Sequence, residues 1–107
     1  LDLYTALSIF VSNAPKLING ICDAAQAGDL AEMEELAAKL IAYSNQAQLV
    51  NFAEKVKNLI IAAREQKPST MENEIDSIRK YFEQMAEKID SIIPIKKIEL
   101  NSFSSIN

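Results

Sequence analysis

From Met71 to Ile92 apolar side chains return at steps of four and three without exception: Met71, Ile75, Ile78, Phe82, Met85, Ile89, Ile92. This repeat keeps one face of an α-helix apolar over its whole length; a strand, whose side chains alternate between two faces, cannot satisfy it. A helix with one apolar stripe draws its stability from burying that stripe against other elements. The rest of the chain must supply them. Gly occurs only twice and Pro three times in 107 residues, too few for the many turns of a sandwich or a barrel. Ala, Leu, Glu, Lys and Gln are plentiful, and these residues lose little rotamer freedom in a helix. The partners are therefore expected to be helices.

Three further stripes precede the first. Leu3, Leu7, Phe10, Ala14, Leu17, Ile21 and Ala24 step by four and three. Pro15 falls inside this run, removing an N–H and crowding the carbonyl of Val11, which predicts a kink or break near Asn13. Gly28 is placed to close the helix with a positive φ. Asp29 and Glu32 form a D-x-x-E capping box opening a second helix, whose stripe is Leu30, Met33, Leu36/Ala37, Leu40, Tyr43/Ser44. Helix formers thin out at Ser44-Asn45-Gln46, which reads as a tight connection. The third stripe is Leu49, Phe52, Val56, Leu59, Ala63, followed by the polar run Arg64-Glu65-Gln66-Lys67 and Pro68. Ser69 and Glu72 predict the next capping box, and Pro94 a stop. Short connections force neighbouring helices to run antiparallel. The expected fold is all-α, an antiparallel up-down four-helix bundle over residues 1–93, with 94–107 as a tail or linker.

The functional inventory is sparse. There is no His, so the usual general base and soft metal ligand are missing, and Cys–His and Ser–His pairs are excluded. Neither Gly20 nor Gly28 stands in a phosphate-loop context. Di-iron bundles need inward Glu residues and Glu-x-x-His motifs, whereas Glu32, Glu34, Glu35, Glu54, Glu72, Glu83 and Glu87 mostly fall off the apolar stripes. No catalytic residue, metal or cofactor is expected. A net charge of −4 with scattered Lys and Arg argues against nucleic acid. No apolar run approaches the ~20 residues that span a bilayer, and no signal peptide is apparent. The lone Cys22 suits a reducing, cytoplasmic setting. The chain opens at Leu1 without a Met, as an excised domain or a processed product would.

The second helix departs from the rule of one stripe. Away from its core positions it carries Ala31, Ala38, Ile41 and Ala42, so it is apolar over far more than the ~100° a bundle requires. Either Ile41 tucks into a broad core or under the C-terminal tail, or Ala38, Ile41 and Ala42 form a patch that docks a partner.

At these residues the chain resembles a known family. Phe10, Ala14-Pro15 and Leu17, followed by Ala24-Ala25-Gln26-Ala27-Gly28-Asp29-Leu30, are similar to the first long helix and the "AGDL" turn of histidine phosphotransfer (HPt) domains. Leu36-Ala37-Ala38-Lys39-Leu40-Ile41-Ala42-Tyr43-Ser44 lies where that family has A-H-x-L-K-G-S, and Phe52-Ala53, Leu59 and Ala62-Ala63-Arg64 resemble the helix after it. The likeness covers Ala6 to about Arg64, roughly half the chain. The departures fall on the chemistry. Ala38 stands at the phosphorylated His, Ile41 at the Lys that orients the phosphoryl group, Ala42 at the Gly that admits a receiver, and Gln48 at a second Gly. A single engineered His→Ala change would leave the Lys and the Gly in place; here all three positions differ.

The resemblance implies an HPt-like bundle unable to transfer phosphate. It implies a docking face of Ala38, Ile41, Ala42, Asn45 and Glu34, and as partner a response-regulator receiver domain or a sensor histidine kinase of a two-component phosphorelay. The alternative is a structural or oligomerisation unit of a larger signalling regulator, in which the stripe Met71, Ile75, Ile78, Phe82, Met85, Ile89 pairs with its copy in a homodimer. The competing use of that stripe, closing the fourth wall of the monomer, is the more economical one.

Overall fold

Each apolar stripe becomes one helix in the computed structural model, which describes residues 2–92. The helices are α1 (Leu3–Gln26), α2 (Leu30–Gln46), α3 (Val50–Arg64) and α4 (Pro68–Asp90). Each packs against the next and α1 also meets α4, so the chain is an all-α, up-down four-helix bundle. The expected stop at Pro94 and the tail over 94–107 lie outside the described residues.

Phe10, Ile21, Met33, Leu40, Phe52, Val56, Leu59 and Ile78 are fully buried along the axis. Completely burying a side chain of this size contributes about 1.5–3 kcal/mol. Phe10 meets Phe52 edge-on, centroids 5.5 Å apart at 85°, and Phe82 lies 5.7 Å from Phe10. Three helices are thus joined by one ring cluster, in the offset and edge geometries that aromatic quadrupoles favour. On α4, Met71, Ile78 and Ile89 are buried, and Ile75, Phe82 and Met85 are half-buried against the core. That stripe closes the fourth wall. Ile92, its last expected member, lies beyond the helix and is exposed.

All three connections are the same device. After α1, Asp29 N–H donates to Ala24 O (2.9 Å) and Gly28 N–H to Ala25 O (3.1 Å). After α2, Leu49 N–H donates to Ser44 O and Gln48 N–H to Asn45 O; after α3, Lys67 N–H donates to Ala62 O and Gln66 N–H to Ala63 O. These are Schellman pairs, which return orphan carbonyls to use at a helix end. The device needs a left-handed residue, supplied by Gly28 (φ 75°), Gln48 (φ 60°) and Gln66 (φ 55°). In each case the next residue is already the N-cap of the following helix.

Four expectations are corrected. First, α1 runs through Pro15 without a break. Pro15 is exposed, so its ring lies in solvent and not against the core. Buried Ala6, Leu7 and Phe10 before it, and Ile18, Ile21 and Ala24 after it, outweigh the ~3 kcal/mol of an interior proline. Second, past Pro15 the buried position is Ile18, and Leu17 is only half-buried. Third, Ser44-Asn45-Gln46 is the last turn of α2 and not a connection. Ser44 is fully buried, one turn beyond Leu40, and its hydroxyl donates to the Leu40 carbonyl at 2.6 Å. Fourth, Ser69 does not cap α4; Lys67 is the N-cap and Pro68 takes the first turn, where its missing N–H has no intrahelical partner to lose. By contrast Asp29 caps α2 as expected, its carboxylate accepting from Glu32 N–H at 3.1 Å.

One glycine matters by its size. A Cβ on Gly20 of α1 would lie 2.9 Å from Leu36 Cδ1 of α2. This close approach places the Leu36 flank of α2 against α1, and so turns the opposite flank toward α3.

Candidate docking face

That opposite flank carries the residues singled out in the sequence. On α2, Glu34, Ala38, Ile41 and Asn45 step by four, three and four, a strip displaced by one residue from the buried Met33, Ala37, Leu40 and Ser44. Ala38, Ala42 and Asn45 are exposed; Ile41 and Glu34 are half-buried. Ile41 packs on the edge of the core while keeping part of its side chain in solvent.

Glu34 is matched by Arg64, the last residue of α3. Arg64 Nε donates to Glu34 Oε1 at 3.1 Å, and a second guanidinium nitrogen reaches the same oxygen. The Arg64 pKa is raised, first by that hydrogen bond and then by the carboxylate charge. The pair links the end of α3 to the first half of α2 across their antiparallel contact. One turn onward in α2 is Ala38; one turn back in α3 are Ile60 and Ile61.

Ile61 was not among the expected site residues, nor was Val50, at the start of the same helix. They are 52% and 60% exposed, large apolar side chains turned to water on the outer side of α3. The available signal was the run Leu59-Ile60-Ile61: successive helical residues are 100° apart, and three in a row cannot all face the core. Beside them Lys57 and Glu54 pair at 3.5 Å on the exposed surface. The α2–α3 face is thus small and apolar at Ala38, Ala42, Ile41 and Ile61, with charge at its ends already paired.

The face carries no nucleophile. Ser44 points inward and donates to its own helix, and Tyr43, two turns on from Leu36, is half-buried on the α1 flank. Among the described residues no group of three Cys, Asp or Glu side chains could hold a metal ion, and no helix is long and apolar enough to cross a membrane. No family model matches the chain, and comparison with curated proteins and with solved structures yields no match.

Proposed function

We propose that this bundle is a non-catalytic, HPt-like docking module that binds a receiver domain or a sensor kinase through its α2–α3 face. One observation carries the reading: Ala38 and Ala42, at the positions resembling the family's phosphoacceptor His and access Gly, are exposed in mid-helix beside half-buried Ile41. The alanines of this face let a partner helix approach closely and offer it apolar contact, with the Glu34–Arg64 and Glu54–Lys57 pairs beside them. Without an imidazole it neither accepts nor returns a phosphoryl group, and so holds its partner outside the relay. Ile61 of α3 extends the patch.

Self-association through the α4 stripe is the weaker reading. Met71, Ile78 and Ile89 are buried, and Ile75, Phe82 and Met85 pack on the core, so pairing through them would require the fourth wall to open. The test is an NMR titration with receiver domains, with and without a phosphoryl mimic. Shifts centred on Ala38, Ile41, Ala42 and Ile61, lost in an A38R/I41E variant that stays folded, are the expected result. No binding, or binding unaffected by that variant, removes the proposal.

A further inference from the structure

The inner side of α3 belongs to the core through Phe52, Val56, Leu59 and Ala63. Its outer side carries a strip of exposed residues, Val50, Glu54, Lys57 and Ile61. At 100° per residue these four fall within about 60° of one another around the helix, and they run along it for about 16 Å. Val50 and Ile61 are its two large apolar members, both mostly in water. Either alone is ordinary surface. Their placement is the informative part. Val50 and Ile61 stand equally far on either side of the midpoint between Lys55 and Val56, and Glu54 and Lys57 stand equally far from the same midpoint. Reversing the helix end for end therefore brings valine level with isoleucine and each charge level with its opposite.

We propose that α3 pairs with α3 of a second copy of this chain, antiparallel and about a twofold axis at that midpoint. A twofold interface uses the same patch on both copies, and so needs a patch complementary to its own reverse. In the pair, Val50 meets Ile61 of the second copy at each end, and Glu54 comes level with Lys57 twice in the middle. The Glu54–Lys57 pair at 3.5 Å within each helix becomes part of a cluster of two carboxylates and two ammonium groups. A parallel partner is disfavoured, because it sets Glu54 against Glu54 and Lys57 against Lys57. Helices crossing at about 20° stay in contact over several turns, which suits a strip of this length. With only two large apolar side chains from each copy, the interface falls below the roughly 1,200 Å² of standard-size complexes. The association is therefore weak and depends on concentration. Ile61 is shared with the α2–α3 face, but the pairing is measured without any receiver, so either proposal can fail alone.

Charge exchange in the full chain tests the pairing. Sedimentation equilibrium from about 10 µM to about 1 mM, a range that brackets weak association, should show the mass rising from one copy toward two. E54K makes the middle of the strip wholly cationic and K57E makes it wholly anionic. Each alone should keep the mass of one copy, with an unchanged helical circular dichroism spectrum. An equimolar mixture of the two should associate again, at least as far as the unaltered chain, since the excess charge of one faces its opposite on the other. V50D/I61D, with the charges intact, should also stay single. An unaltered chain that remains single at about 1 mM, or a mixture that does not recover, overturns the proposal. Single variants that associate like the unaltered chain overturn it too, and move self-association to another surface.

Discussion

α2 and α4 are both built on a stripe stepping by four and three, yet they use the rest of their surface differently. Outside its stripe α4 carries Glu72, Asn73, Asp76, Lys80, Glu83, Gln84 and Glu87, all exposed. α2 carries Ala31, Ala38 and Ala42, also exposed, and Ile41, half-buried. One stripe is enough to anchor a helix in the bundle, and α4 needs no more. The second apolar strip of α2 adds little to the fold, because most of it remains in water. It is surplus to folding and available for contact.

The comparison can be broken most forcefully at the stripes. Leu40→Ala on α2 and Ile78→Ala on α4 remove fully buried side chains and are each expected to cost about 2–5 kcal/mol in denaturant unfolding. A much smaller loss at Leu40 would mean that α2 is not held by its inner stripe, and the distinction between its two strips would collapse. Next comes the outer strip. Ile41→Glu should change stability by no more than about 1 kcal/mol, since the carboxylate can reach water, while the receiver binding we propose is lost. If it unfolds the chain instead, Ile41 belongs to the core and the docking face shrinks to its alanines and Ile61.

Smaller effects sharpen the boundary between the two regions. Gln48→Gly, in the turn that leaves α2, relieves a left-handed residue with a Cβ, and Gln66→Gly does the same before α4. Each should stabilise by about 0.5–1 kcal/mol, the left-handed strain removed less the extra entropy of glycine, read as a rise in thermal midpoint. Ser44→Ala should be milder still, within about 0.5 kcal/mol. The Ser44 hydroxyl bonds only a carbonyl of its own helix, and alanine favours that helix. Arg64→Ala, at an exposed surface ion pair, is expected to leave the thermal midpoint where it is.

Much of the architecture was legible before the structure. The four stripes correspond to the four helices, and Gly28 and Asp29 mark the first connection as expected, because a left-handed glycine and a capping carboxylate act within a few residues of chain. The misplaced features involve competition. Pro15 reads as a breaker by itself, but the buried side chains on both sides of it hold the helix together. Ser44-Asn45-Gln46 reads as a turn by propensity, but the core reaches one turn past Leu40 and keeps Ser44 helical. Gln48 and Gln66 carry no turn signal; they take positive φ because the next helix must start within two residues. At the candidate site, Ala38, Ala42 and Asn45 are exposed on one helix, while Ile61 had been left out because only the inward positions of α3 were traced.

The sequence by itself determined which face of each helix is apolar, since periodicity is a property of one helix and its 100° step. It also determined that the face of α2 around Ala38 has no imidazole to carry phosphate. Only the tertiary structure decided which surplus apolar residues are covered. Ile41 is half-buried against the core, whereas Ile61 and Val50 are exposed. That difference depends on how far the neighbouring helix wraps around each position, and the wrap is set by packing across the bundle: by Gly20 admitting Leu36 and by the Phe10–Phe52–Phe82 cluster.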